Sequence, residues 1–458
     1  MKKNKDMSLM TGVHSIAALI LALAPFTTAS AGGGYGVATG TINSPTQPPE
    51  SPGQINAHVA MQNICGQLGS GSTSLACSLT GGGAFSSFSV FPASFANNNS
   101  LGFQQLSPQS AMQAESIAIT SPYQFIRGVN RRLQERRESP NHSSGGGSSS
   151  DGYGFIGPFG VSFSGGGGVG DRDTSVGQTG FSIDTSQANL IIDYPFARDL
   201  IGGFSFGYLS TDRKLDLASG RLNSDSYRFA PFLSYTPTPS SYVTLMGGYA
   251  RVDFDSTRSF SPSFNPKDAG TTITVNNATA KYGANEYFAS LGAGYTHTMA
   301  AWSLRGYGRG DYSHSNIGSF QESGAIATDG FSYANKVNGQ SILSATSTLG
   351  AELSYAISTN TLAAVVIPKL HAEWVHEFEN SSRQTHTTFS ALRLSDGKLF
   401  SAPTSSIAVA GPERDWANVG IGVQMLFPHA IVGYLNYDSL IIQNGDNQTF
   451  SGGVRVNF

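Results

Sequence analysis

Charged residues are scarce in this chain. Of its 458 residues only 12% are Asp, Glu, Lys or Arg, about half of the ~25% that is usual for a soluble globular domain. This scarcity argues against an ordinary soluble enzyme. The charges nearly balance, at a formal net charge of −3, and no long basic run occurs. Nothing here favours nucleic-acid binding, and we expect no nucleic-acid partner.

Cysteine is also nearly absent. Only Cys65 and Cys77 occur, and they are separated by a short polar stretch. In an oxidising compartment two such residues can close a small loop through a disulfide. The alternative is a pair of free thiols in a flexible segment. We favour the Cys65–Cys77 disulfide because the N terminus predicts export.

Long hydrophobic runs are missing as well, and no stretch reaches the ~20 apolar residues of a transmembrane helix. Residues 1–31 predict a secretory signal peptide. They contain a basic start, an apolar core at 16–24, and the small residues Ala29, Ser30 and Ala31 of a cleavage site. An exported chain of this kind can enter a membrane only as a closed barrel, because lipid satisfies no backbone hydrogen bonds.

Glycine, serine, proline, asparagine and glutamine dominate residues 32–116. The stretches 40–53 and 97–100 are typical of loops or linkers. The region is too short and too polar to bury a large core. We therefore expect a mostly irregular N-terminal segment, in which any fold is small.

An arginine-rich amphipathic helix is predicted next, within residues 117–150. Ser121 is a candidate N-cap, and Pro122 suits the first helical position. Apolar residues recur at helical spacing on one face: Phe125, Ile126, Val129 and Leu133. Arginines occupy much of the rest: Arg127, Arg131, Arg132, Arg136 and Arg137. Such a helix is costly against lipid, so we expect it in a hydrated pore; the alternative is a solvated surface helix.

Residues 151–458 follow the period of two that β-strands show. Several candidate strands exceed the ~10 residues that cross a bilayer at a tilt. Twelve strands are predicted, near 153–164, 181–194, 200–212, 221–236, 241–256, 281–298, 301–316, 340–357, 362–380, 413–427, 430–442 and 448–458.

The connections between these strands alternate in length. Five are short, such as 195–199 and 237–240, whereas those around 257–280, 317–339 and 381–412 are long. Soluble sandwiches also show alternating strands, but short turns on one rim and long loops on the other are typical of outer-membrane barrels. We therefore predict an all-β fold, a twelve-stranded antiparallel transmembrane barrel plugged by the N-terminal helix.

The two faces of each predicted strand differ in polarity. Apolar side chains are expected to face lipid, with an aromatic girdle beside the short turns formed by Tyr194, Tyr235, Tyr295, Trp302 and Tyr355. Carboxylates on the opposite face are expected to pair with Arg127, Arg131, Arg132 and Arg136 of the helix. The candidates are Glu286, Glu352, Glu373 and Glu377. Such pairs would hold the helix in the lumen and limit leakage.

From about residue 117 onward the chain resembles the autotransporter translocator domain of type V secretion. Four stretches carry the resemblance: Gly165–Asp173, Asp225–Tyr227, Pro368–Phe378 and Gly452–Phe458. The Trp374–Phe378 piece and the terminal phenylalanine are the most specific parts. One departure is clear, because residues 32–116 are far shorter than the usual passenger.

The resemblance implies that the upstream segment is carried to the cell surface and that the helix stays in the pore. It also implies that Phe458 is part of a signal read by the barrel-assembly machinery. The expected partners are outer-membrane lipid, that machinery and periplasmic chaperones, and no cofactor is expected. The implied organisation is a signal peptide (1–31), a short passenger (32–116), a pore helix with linker (117–150) and a barrel (151–458).

Two enzyme-like patterns compete with this interpretation. Gly203–Gly207 matches the G-x-S-x-G motif of hydrolases, but that motif requires a strand-to-helix turn and here it lies within a predicted strand. His371 and Glu373 share one strand face, where they more often line a pore than catalyse. We predict no enzymatic activity. The alternative functions are a passive channel whose N-terminal part stays in the periplasm and, less favoured, a barrel-embedded hydrolase.

Overall fold

The computed structural model describes residues 52–68, 109–138, 159–173, 180–216, 220–260, 275–359, 363, 365–381, 383–409, 411–428, 431–442 and 445–457. The predicted signal peptide, Cys77 and Phe458 lie outside these residues. Export, the disulfide and the assembly signal therefore stay predictions.

The described residues form two helices and a series of strands. The helices are α1 (Pro52–Leu68) and α2 (Gln109–Glu138). The long strands are β1 (Gly160–Arg172), β2 (Phe181–Ala197), β3 (Leu200–Leu215), β4 (Arg221–Thr238), β5 (Ser241–Phe260), β6 (Val275–Met299), β7 (Trp302–Ile317), β12 (Gln340–Tyr355), β14 (Val365–Glu377), β19 (Asp415–Phe427), β20 (Ile431–Ile442) and β21 (Gly445–Asn457). The short strands are β8 (Phe320–Gln321), β9 (Ser323–Ala327), β10 (Phe331–Ser332), β11 (Lys336–Val337), β13 (Ile357–Ser358), β15 (Arg383–Thr388), β16 (Ser390–Arg393), β17 (Leu399–Ser401) and β18 (Ser405–Val409).

The twelve long strands close into an antiparallel barrel, which confirms the predicted strand number. Each strand pairs with the next, and β1 closes the ring by pairing with both β2 and β21. The short turns and both ends of the strand series lie at one rim, here called the short-turn rim. The long connections lie at the other, the long-loop rim. Of the helices described, neither is long and apolar enough to cross a bilayer.

Side chains alternate along the strands, so that apolar residues form the outer surface of the barrel and polar residues face the lumen. In β14, Leu370 and Trp374 are 46% and 48% exposed, whereas His371 and Glu373 between them are buried. The predicted girdle residues near the short-turn rim are exposed or half-buried, and Trp302 stands beside Tyr355 with ring centroids 4.6 Å apart. A barrel in a lipid bilayer requires this arrangement, with apolar side chains on its outer surface and polar side chains in its lumen.

The glycine-rich stretch Gly165–Asp173 differs from expectation. The sequence predicts that the first strand ends near residue 164, but β1 continues through Arg172 and pairs with strands on both sides. Close backbone approach at this position explains the glycines. A Cβ on Gly166 would lie 2.5 Å from the carbonyl oxygen of Phe450, too close for any side chain.

Two of the long connections are folded, which the sequence interpretation missed. Strands β8, β11, β15 and β18 form a four-stranded sheet, and β9, β10, β16 and β17 extend the barrel sheet beyond the rim. The two connections interleave, because β11 pairs with β15 and β10 pairs with β16. Residues 320–337 and 383–409, which carry these strands, are called the outer platform below.

Helix α1 packs on the outer platform. It lies in the segment that the sequence predicts to be mostly irregular. Its buried residues are Ala57, Ala60, Met61, Ile64 and Cys65. Their spacing follows one helical face, and this was the signal that could have revealed the helix among polar neighbours.

Helix α2 begins earlier than expected. The sequence predicts a start at Ser121 and Pro122, but the helix begins at Gln109 and Pro122 lies inside it. Good helix formers such as Ala111, Met112 and Ala114 precede the proline. An internal proline removes one backbone hydrogen bond. Burial of the flanking turns, with Ala114 and Ile126 both nearly inaccessible, compensates for that loss.

Candidate functional site: the plugged lumen

Helix α2 lies inside the barrel and runs from the long-loop rim to the short-turn rim. Near its beginning, Gln113 accepts a hydrogen bond from Arg213, close to the long-loop end of β3. Near its end, Arg137 donates to Ser234 at 3.0 Å, close to the short turn after β4. The direction of the helix is therefore fixed by contacts at both ends.

One face of α2 is apolar and rests against the barrel wall. The predicted stripe of Phe125, Ile126, Val129 and Leu133 is buried together with wall residues Ile191, Ala230, Phe232, Met246 and Phe288. The Phe125 ring meets Phe288 edge-on, with centroids 5.6 Å apart. A Cβ on Gly207 would lie 2.5 Å from the Phe125 ring. Glycine at that position therefore makes room for the aromatic ring.

An ionic cluster holds the middle of the helix. Arg127 contacts Glu373 through Nε at 2.8 Å and Asp438 through Nη2 at 2.7 Å. Arg131 contacts the same aspartate through Nη1 at 2.8 Å. These four residues are called the central cluster. Because the two carboxylates are only 4% and 5% exposed, they depend on the arginines for compensation of their charge.

Further donors complete the environment of Glu373. The Tyr307 hydroxyl donates to Oε1 at 2.6 Å, while Tyr123 and Asn418 donate to Oε2 at 3.3 Å each. A buried carboxylate with this many donors is a well-satisfied acceptor. Tyr123 belongs to α2, so the helix contributes to this environment with both an aromatic residue and a cation.

A second ionic group lies near the short-turn rim. The carboxylate of Asp193 on β2 is in direct contact with Arg136 of the helix, and Arg455 of β21 reaches it at 2.8 Å. Arg137 stacks over the Tyr242 ring at 3.7 Å. The last turn of α2 therefore contacts β2 through Asp193, and the same carboxylate also binds Arg455 of β21, the last strand of the barrel.

The remaining predicted residues are placed differently. Arg132 pairs with Glu135 on its own helix at 2.5 Å and stacks on Tyr434. Glu352 accepts from Gln134 of the helix at 2.5 Å and contacts Arg305 of the wall at 3.2 Å.

Two predicted carboxylates pair within the wall. Glu286 lies 3.7 Å from Arg228, and Glu377 accepts from the backbone of Ala345 at 2.9 Å. Of the four predicted glutamates, Glu373 is the one that the structure brings into a salt bridge with a predicted arginine of the helix.

Sequence reasoning missed the two aspartates that receive the helix arginines. Asp193 and Asp438 both sit at buried, inward positions of strands with alternating polarity. The sequence prediction considered only the glutamates on the inward faces of the strands. Had it considered every carboxylate at an inward position, it would have included these two aspartates. Their pairing with particular arginines depends on the rotation and depth of the helix, which the sequence pattern does not specify.

The helix narrows the lumen without filling it. A cavity of about 190 Å³ remains between α2 and the wall around β1 to β3. Small polar side chains line part of it, among them Thr185, Gln187, Asn189 and Thr211. A cavity of this polarity can hold water. Arginine side chains, among them Arg127, Arg131 and Arg213, also line it.

The enzyme-like patterns have structural roles here. Ser205 is fully buried within β3, between the outward-facing Phe204 and Phe206, and not on a strand-to-helix turn. His371 lies 2.8 Å from Asp438, and Glu373 belongs to the central cluster. Absence of activity for the whole chain stays a prediction.

Comparison with known proteins identifies the barrel. A family model described as "Autotransporter beta-domain" matches residues 161–438, more than half of the chain. A search of curated proteins finds no match.

The solved structures that match include three autotransporters. The translocator domain of NalP from Neisseria meningitidis is 12% identical, with a TM-score of 0.51 over 75% of this chain and 100% of that one. The β-domain of Bordetella BrkA is 14% identical (TM-score 0.43, 65% and 99% covered), and the transport unit of Escherichia coli AIDA-I is 12% identical (TM-score 0.41, 76% and 98% covered). The NalP domain shares the fold. On the strength of the family match, this chain belongs to the autotransporter β-domain family and is an outer-membrane translocator barrel.

Proposed function

We propose that the barrel exports its own short N-terminal segment through the lumen and displays it at the cell surface, with α2 left behind as a plug. The direction of α2 carries this proposal. Its first residues lie near the long-loop rim, which faces the exterior in outer-membrane barrels. The segment that precedes the helix is therefore delivered to the outer side, where α1 also lies.

The contacts of α2 support a resting state in which the pore is obstructed. Its apolar stripe and its arginines are both complementary to the lumen wall. A passenger segment that only passes through the lumen does not require side chains complementary to the wall. A helix that remains in the lumen as a plug does require them. Autotransporter translocator domains are not enzymes, and we expect the same of this chain.

Surface labelling tests the export. An epitope tag inserted near Ser74, between the two helices, is expected to bind antibody on intact cells. A matched tag at Pro239, in the short turn between β4 and β5, is expected to bind only after the outer membrane is permeabilised. If the Ser74 tag also requires permeabilisation, the N-terminal segment stays in the periplasm. The protein would then be a passive channel instead.

A further inference from the structure

The outer platform has an apolar surface that α1 covers. Five helix residues and a group of platform residues form one buried cluster. The platform members include Phe331, Tyr333, Phe389, Phe400, Ile407 and Val409. Tyr333, Phe389 and Ile407 are at most 1% exposed, and so are Met61 and Ile64 of the helix. This packing is as complete as that of a domain core.

Polar contacts fix the helix at both ends. Asn56 in the first half of α1 donates to the backbone carbonyl of Ser406 at 2.9 Å. Gln67 near its end donates to the carbonyl of Ser401 at 3.0 Å. Both acceptors belong to the outer platform. The opposite face of α1, which includes Val59 and Asn63, is exposed.

The helix and the platform depend on each other. An isolated helix of about this length is marginal in water, since most helical stability in proteins comes from packing of an apolar face. A water-facing platform with several uncovered aromatic side chains would be an unusually large exposed patch for a folded protein. Each part therefore supplies the surface that the other lacks.

We infer that α1 docks on the outer platform after export, and that the exported helix and the barrel's own loops fold there into one small surface domain. The docking rests on the proposed export. It makes the N-terminal segment a retained part of the barrel rather than a secreted product. The occupant of the apolar surface is thus a segment of the same chain.

Cleavage of the purified full-length protein in detergent micelles tests the docking. A recognition site for a specific protease replaces residues 81–83, so that Cys65 and Cys77 both stay on the N-terminal fragment. After cleavage, the fragment is expected to co-elute with the barrel in gel filtration and to separate only in denaturant. A fragment that elutes alone without denaturant would overturn the inference.

Matched substitutions localise the contact. Ile64→Asp, on the buried face of α1, is expected to reduce the retained fraction at least tenfold, whereas Val59→Asp, on the exposed face of the same helix, leaves it unchanged. On the platform, Ile407→Asp is expected to release the fragment and Leu399→Asp, at a position 60% exposed, is not. Heat-modifiable migration in gels shows that each barrel is folded. Equal retention in all four variants would refute the assignment.

The same cleavage on intact cells separates this inference from the export. A fragment that is cleaved from outside and remains on the cells agrees with both. A fragment that is cleaved and lost to the medium leaves the export standing and contradicts the docking. A fragment that resists cleavage until cells are permeabilised contradicts the export, and the docking after export is then overturned with it, even where the fragment co-elutes in detergent.

Discussion

Reversal of the charges of Arg127 and Arg131 is expected to unplug the barrel. Three contacts join these arginines to Glu373 and Asp438. A buried carboxylate that loses its partner costs about 3–5 kcal/mol, so the double reversal to glutamate, which leaves both Glu373 and Asp438 uncompensated, removes roughly 6–10 kcal/mol of stabilisation from the plugged state. It also brings four carboxylates together.

The apolar face of α2 opposes release of the helix. Its largest buried apolar side chains, Phe125, Ile126, Val129 and Leu133 together with Ile117 and Ile119 nearer the long-loop rim, contribute about 1.5–3 kcal/mol each, or roughly 9–18 kcal/mol in total by area bookkeeping. The double reversal offsets a large part of this contribution, whereas loss of one contact offsets only a small part of it. We therefore expect Arg131→Gln to stay plugged and Arg127→Glu with Arg131→Glu to open. A loss of about 6 kcal/mol from the plugged state raises the ratio of open to plugged barrels by about ten-thousandfold.

Single-channel recording in planar bilayers measures the outcome. The reversed variant is expected to show large, long-lived conductance steps that the native protein shows rarely. Arg221→Glu is the matched control, because Arg221 pairs with Asp212 on the exposed side of the barrel, where its side chain is 52% exposed. Adding Glu373→Arg and Asp438→Arg to the reversed variant is expected to restore closure. A folded reversed variant with native conductance would refute the role of the central cluster.

Three further substitutions test other parts of the structure. Gly207→Val is expected to displace the Phe125 ring and lower the thermal unfolding midpoint, whereas Gly306→Val, at an open position, should not. Asp193→Asn leaves two buried arginines without their carboxylate and should destabilise by about 3–5 kcal/mol in urea unfolding; a change below about 1 kcal/mol would contradict the pairing. Phe206→Arg, on the lipid face, should weaken folding into vesicles by about 2–4 kcal/mol, and an unchanged folding equilibrium would contradict a lipid contact there.

The barrel was predictable because its constraint is local. Each strand must place apolar side chains outside and polar ones inside, so Leu370, Trp374 and Glu373 indicate their faces without reference to any other strand. The strand number followed from counting such segments. The boundaries of β1 could not be predicted in this way. The stretch Gly165–Asp173 shows no side-chain alternation, and its place in the sheet depends on pairing with β2 and β21, where the barrel closes.

The site was less predictable because it depends on how separate elements meet. The sequence identified the arginines of α2 and one of their partners, Glu373. Asp193 and Asp438 are distant along the chain, and their approach to the helix is set by its depth and rotation. The same limitation applies to the outer platform, where the two-residue strand β11 pairs with β15 of a different loop and with β8 of its own.

The length of the N-terminal segment and the folding of the long loops are linked by one physical argument. A short, polar chain segment with few apolar side chains has little surface to bury and is therefore hard to stabilise alone. The five apolar residues of α1 lie along one helical face. Their combined apolar surface is sufficient to stabilise the helix when a second apolar surface packs against it. The outer platform offers such a surface, and it belongs to the same polypeptide and packs against α1. The export that we propose would therefore give a short passenger a fixed structure at the cell surface without a core of its own.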